Sequence, residues 1–181
     1  MTQAKQNSFG SVFSADVLEF VSVSTDFCAF LEQSGAEDAT SFCNKALKLL
    51  PQVYMKGLSL SAIELNEGDD VEQQVTEEDY NFIRETVAAV LGTNDDYLDV
   101  FLEDMKYSDT PILKTVSEDM ADIYQDLRNF IAAYGQGLDE VRYAALGEVQ
   151  RAFRNYWGGR CLSAMRALHE IKYTLLPDEG E

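Results

Sequence analysis

Apolar positions recur every three or four residues along most of the chain, and nowhere does strand-like alternation persist between hairpin turns. The rhythm predicts helices throughout. Ser14 reads as the N-cap of the first, with Asp16 in the turn where the helix dipole favours an anion. Its inward stripe is Val17, Phe20, Val21, Phe27, Cys28 and Leu31, and Ser34-Gly35 ends it. Asp38 or Thr40 starts a second helix that turns Phe42, Cys43, Ala46, Leu47 and Leu50 inward. Pro51 removes an amide donor. The rhythm still continues through Val53, Tyr54 and Leu58, which favours one kinked helix over two. Residues 66–75, NEGDDVEQQV, form an acidic loop. Thr76-Glu77-Glu78-Asp79 resembles a capping box ahead of a third helix that buries Tyr80, Ile83, Val87 and Leu91 and stops at Gly92.

Asn94 or Asp95 is expected to cap a short fourth helix reaching about Lys106. Ser108, Asp109 or Thr110 caps a fifth, with Pro111 at its first position, where a missing N–H costs least. Its stripe is Ile112, Val116, Met120, Ile123, Leu127, Phe130 and Tyr134, closed by Gly135 and Gly137. A sixth helix runs from about Leu138 to Tyr156. Gly158-Gly159 breaks the chain, and a seventh runs to about Leu176. No linker or repeat divides the sequence. The expectation is a single all-α domain over residues 1–181, an antiparallel bundle of six or seven helices, with an extended or disordered tail over about 1–13.

Charge changes the picture more than composition does. The 181 residues carry 32 acidic and 14 basic side chains, a net charge of −18. Such a field repels phosphate backbones and anionic membrane surfaces, so neither direct nucleic-acid binding nor membrane binding is expected. It favours cations and partners with a basic surface. Residues 138–181 hold six of the bases against seven acids, so these C-terminal helices are placed to neutralise acids of the central ones. Three separated cysteines, Cys28, Cys43 and Cys161, each on an apolar face, read as reduced core thiols. The opening MTQAKQNSFGSVFS has no apolar run of signal-peptide length. A cytoplasmic location is expected.

Two constellations carry possible chemistry. Asp119, Asp122 and Asp126 stand at i, i+3, i+7, on one helical face beside the apolar stripe. Asp96, Asp99 and Glu103 have the same spacing on the expected fourth helix. Two such faces could hold Mg²⁺ or Mn²⁺ through Asp99, Glu103, Asp119 and Asp122. Against this, the acids can instead be solvated or pair with the C-terminal arginines, and no cofactor is expected. The second constellation centres on the lone histidine. Arg166, His169 and Tyr173 share a face, and Arg160 lies one turn or more ahead. Tyr107, Asp109, Glu118, Arg160, Arg166 and His169 are therefore candidates for a ligand or partner site. A Glu-x-x-His iron motif would need Glu where Arg166 stands. One histidine cannot assemble a common zinc site. Serine-nucleophile, P-loop and dinucleotide signatures are absent. Tyr156-Trp157 reads as a core anchor, and Arg151 with Arg154 suits carboxylates.

The stretches VLEFV, KALKLLPQVY, VTEEDYNFIRE, DDYLDVFLEDMKYSDTPI, SEDMADIYQDLRNF and NYWGGRCLSAMRALHEI together resemble the bacterial family called domain of unknown function 5063, common in Bacteroidetes. The resemblance spans about residues 15–175 and rests most on the YSDTPI…SEDMADIYQDL and YWG…ALH blocks. It implies an all-α domain in a cytoplasmic bacterial protein, and it carries over no catalytic residue. The leading functional expectation is a non-enzymatic module that binds another protein. The alternative is a divalent-metal-dependent hydrolase or nucleotide-binding protein built on the central carboxylates. Oligomeric state is not legible.

Overall fold

The protein is seen in a computed structural model that describes residues 10–63, 65, 71–100 and 110–176. It is an all-helical bundle with one small hairpin. Helix α1 is Ala15–Gln33, α2 is Ala39–Ser59 and α3 is Glu77–Leu91. The caps are those the sequence predicts. Ser14 Oγ accepts from Val17 N, Asp38 from Ser41 N, and Thr76 forms a reciprocal box with Asp79. Helix α2 runs through Pro51 without interruption. Its Val53 is buried, but Leu58 faces solvent. The tail expected over 1–13 gives way to a 3₁₀ turn at Gly10–Phe13, anchored where Tyr134 Oη donates to Val12 O at 2.7 Å.

The middle of the chain departs from expectation. Asp96–Asp99 is a strand, β1, and not the start of a fourth helix. Ile112–Thr115 is its antiparallel partner β2, in the register Tyr97↔Lys114 and Leu98↔Leu113. The rest of the expected fourth helix, with Ser108 and Asp109, lies outside the described residues. The next helix, α4, spans Val116–Gly135 and is capped by Thr115, so Pro111 is not at its first position and Ile112 is not in its stripe. The extended form wins here because it satisfies more groups. Val116 N donates to Asp95 O at 2.9 Å, and the Asp95 carboxylate accepts from both Ser117 N and Ser117 Oγ. An anion at that helix N-terminus is also favoured by the dipole.

Gly158-Gly159 breaks nothing. Helix α5 (Asp139–Ala152) passes through a π turn at Phe153–Trp157 into α6 (Gly158–Glu170), and a second π turn covers Ile171–Leu175. This is one continuous rod. The described helices thus form five rods, fewer than the six or seven expected. The π turn explains the first glycine. Gly158 N donates to Phe153 O, five residues back, and a Cβ on Gly158 would stand 2.5 Å from that oxygen.

Helix α4 lies against the long rod, and α1, α2 and α3 complete the bundle around Phe20, Phe27, Phe42, Leu50, Ile83 and Trp157, all fully buried. The irregular connection before α3 is held by two buried amides. Asn129 Oδ1 accepts from Gln74 N and Val75 N, and Gln150 Nε2 donates to Leu60 O and Ser61 O. Val71–Val75 is irregular chain, while residues 66–70 of the expected acidic loop lie outside the described set. No helix among the described residues is long and apolar enough to cross a membrane.

Candidate functional site

Two of the three aspartates on α4 meet the long rod through Arg160. Its Nη1 donates to Asp119 Oδ1 at 3.1 Å, and its Nε lies 3.2 Å from Asp122 Oδ2. Three phenols bond the same two carboxylates. Tyr97 of β1 donates to Asp119 Oδ2 at 2.5 Å. Tyr80 of α3 and Tyr156 of the π turn donate to Asp122 at 3.0 and 2.7 Å. The guanidinium also lies 5.0 Å over the Tyr156 ring. Four elements therefore converge on one buried polar cluster. For Asp119 and Asp122 the arginine alternative read from the sequence is the one the fold adopts.

The electrostatics follow from burial. Asp119 is inaccessible to solvent. Burial pushes its carboxyl up to about 6, against the pull of Tyr97, Arg160 and Lys114. Burial works against the charge of Arg160 too, but Asp119, Tyr156 and Asp122 outweigh it and hold the guanidinium above its ordinary range. The Tyr97 phenol is pushed up by burial, by its bond to Asp119 and by that charge, so it stays a donor. The three thiols are buried and raised by desolvation, Cys43 to about 11 and the others further, which makes them poor nucleophiles.

Above this cluster opens a groove of about 1060 Å³ between the hairpin and α6. Its helical wall runs Tyr156, Arg160, Ser163, Ala167, Glu170, a strip at alternating four- and three-residue spacing. The opposite wall is β1 with Pro111 and Lys114. From Tyr156 to Leu175 the trough is about 30 Å long at the helical rise. Much of it is aliphatic and wet: Leu98, Leu162 and Leu175 are 63%, 51% and 53% exposed.

The other sequence candidates scatter. Arg166 lines the groove and makes no ion pair among the described residues. His169 is exposed, its ring tilted against that of Tyr173 at 4.7 Å, and it does not line the groove. Glu118 is exposed at the start of α4. Tyr107 and Asp109 lie outside the described residues. So does Glu103, one of the four proposed metal ligands. Asp99 is buried against Lys114 Nζ at 2.8 Å, on a strand and not a helix. Among the described residues no group of three or more His, Cys, Asp or Glu side chains is placed to hold a metal ion. Arg151 pairs loosely with Glu148 at 3.6 Å; of the expected core anchors Trp157 is fully buried, but Tyr156 is 45% exposed and donates to Asp122 instead. Sequence reasoning missed Tyr97 and Asp95. Their signal is slight: an aspartate two residues before an aromatic, ahead of a Thr that can cap.

Fold and cluster together define a helical bundle that walls a groove with a two-stranded hairpin over a buried Asp–Arg–Tyr network. The chain belongs to the family described as domain of unknown function (DUF5063), whose model matches residues 11–174. Among solved structures it is similar to the crystal structure of protein BF1032 from Bacteroides fragilis, at 36% identity and a TM-score of 0.81. That match covers 94% of this chain and 99% of the other. No curated protein matches.

Proposed function

We propose that the protein is a non-enzymatic binding module whose groove takes an elongated, amphipathic segment of a partner protein. The observation that carries this reading is the shape and lining of the trough. It is about 30 Å long and walled by one helical strip, which suits a polypeptide better than a compact metabolite. Exposed aliphatics along it are the mark of a surface that expects cover. The acids beneath it support the same view. Asp119 and Asp122 have their oxygens committed to Arg160 and three phenols, so they shape the floor and offer no free base to a substrate. The net charge of −18 steers basic partners, and the exposed Asp96 and Glu170 on the groove walls suit basic residues at the edges of the bound segment.

Selection from a displayed library of random peptides tests this. Enriched peptides should carry apolar anchors at helical or alternate spacing with basic neighbours. They should lose at least about tenfold in affinity on Leu162→Glu and none on Leu58→Glu, an exposed leucine outside the groove. Enrichment no better on the wild type than on the Leu162→Glu protein would sink the reading.

A further inference from the structure

A second cavity, of about 290 Å³, lies between α4, α5 and the irregular chain before α3. Part of its wall is hydrocarbon, from Val71, Phe130, Ala145 and Val149. Part is amide. Asn129 and Gln73 line it, bonded to each other, and Asn129 Oδ1 also holds Gln74 N and Val75 N, so this stretch of wall is fixed. Two acids line it as well, Asp126 of α4 and Glu148 of α5. Asp126 is the odd member. Asp119 and Asp122, on the same helix, are served by Arg160 and by phenols. Asp126 Oδ2 is sealed from solvent with no hydrogen-bond partner. Burial, then the charges of Asp122 and Glu148, push its carboxyl up, and no cation acts in the other direction. Arg151 lines the cavity too, but it stays exposed and pairs with Glu148. Burying a carboxylate is costly unless a donor or a cation comes with it. Here the burial is present, the partner is not supplied by the chain, and a cavity lies alongside.

We infer that this cavity binds a small organic ammonium, a protonated amine on a short hydrocarbon body, with Asp126 as its counter-ion. An ammonium brings three donors to a carboxylate that has none on Oδ2. The last torsion of an aspartate is soft, so either oxygen can turn to the cavity. The aliphatic and aromatic wall rewards a hydrocarbon body and gives a hydrated metal ion nothing. A metal ion is also short of ligands, since among the described residues no three His, Cys, Asp or Glu side chains are placed to hold one. The volume is at the small end for ligand cavities, which keeps the body short. None of this rests on the reading of the groove.

Titration with n-butylamine, followed by the backbone amide signals of the whole protein, tests the site at about pH 8, where the amine is charged and the carboxyl is not protonated. Saturable shifts should appear around Asp126, Glu148 and Val149, with half-saturation in the low millimolar range expected of a ligand of few heavy atoms. Ammonium chloride carries the charge without the body and should bind at least about tenfold more weakly. Asp126→Asn should weaken butylamine at least about tenfold. Ala152→Leu, which crowds the cavity and leaves every charge in place, should do the same and keeps the test alive if the first variant misfolds. Glu140→Gln, at an exposed acid of α5 outside the cavity, should change binding by less than about twofold. No saturation by about 50 mM, equal binding of ammonium chloride, or equal weakening by Glu140→Gln overturns the site. Nα-acetyl-lysine amide, set against butylamine, separates a partner's lysine from a free amine: the tighter binder names the source of the ammonium.

Discussion

Two seams of this bundle face the same long rod and are built from opposite materials. Where α1 and α2 meet it, the contact is aromatic and dry. Phe20 of α1 stands 6.2 Å from Trp157, and Gly57 of α2 lies against Trp157 and Phe153. Where α4 meets it, at the same π turn and the start of α6, the contact is two aspartates and one arginine, with three phenols around them. The dry seam stabilises through area removed from water, at about 25 cal/mol per Å². The polar seam gains little net, because desolvating the ions offsets most of their attraction. What distinguishes the polar seam is the cost of a mistake. Removing one partner strands the other charges inside, so this seam fixes how α3, α4, the hairpin and the rod sit together. That arrangement sets the floor of the groove.

The largest expected effect breaks the polar seam. Arg160→Ala leaves Asp119 buried with no cation in hydrogen-bond contact and should lower stability by about 3–5 kcal/mol in urea unfolding. Adding Asp119→Ala and Asp122→Ala should recover part of the loss, since charges that are absent need no partner. A loss below about 1 kcal/mol is what an exposed ion pair gives, and would mean the two seams are not different in kind.

The dry seam breaks by crowding instead. A Cβ on Gly57 would stand 2.9 Å from Trp157 and 3.2 Å from Phe153, so Gly57→Val should destabilise by about 1–3 kcal/mol. Gly159 on α6 has nothing within 4 Å of its Cβ position. There Gly159→Ala should stabilise by about 0.5–1 kcal/mol through helix propensity. If thermal or urea midpoints move the same way for both, close packing is not what keeps glycine at 57.

The two seams were also unequally legible. The dry one follows from periodicity and caps: Ser14, Asp38 and Thr76 announce their helices, and the stripes led by Phe20, Phe42 and Ile83 are the core. The polar one was half legible. Helical spacing puts Asp119 and Asp122 on one face, and charge balance points to the C-terminal arginines, but nothing local selects Arg160 over Arg166. The hairpin was hidden for a physical reason. Strands of four residues are too short to show alternation, and Ile112 with Val116 mimics an i, i+4 helical pair. The decision between the two forms was made by Asp95, which reaches across sequence to cap α4. Gly158 misled in the same way: at this π turn a Cβ there would stand 2.5 Å from Phe153 O, so the turn takes the glycine that elsewhere ends a helix.

An effect about as small as that at Gly159 sharpens the comparison at the edge of the polar seam. Asp126 follows Asp122 one turn along α4 but has no arginine, and its Oδ2 is sealed without a hydrogen-bond partner among the described residues. Burial, then the charges of Asp122 and Glu148, push its carboxyl up to about 6. The folded state therefore holds a proton that the unfolded chain, with a pKa of about 4, has already released. By linkage this proton stabilises the fold below about pH 4, and the contribution is lost as pH rises from about 4 to 6. Asp126→Asn removes the term. Its stability relative to the wild type should climb through that window and level off above it, by on the order of 1 kcal/mol once solvent screening of a half-buried group is allowed for. Urea unfolding of both proteins across the window reads the difference directly and cancels the titration of groups not coupled to Asp126. Parallel curves would mean that Asp126 is as well served as its neighbours, and that the polar seam extends a full turn beyond Arg160.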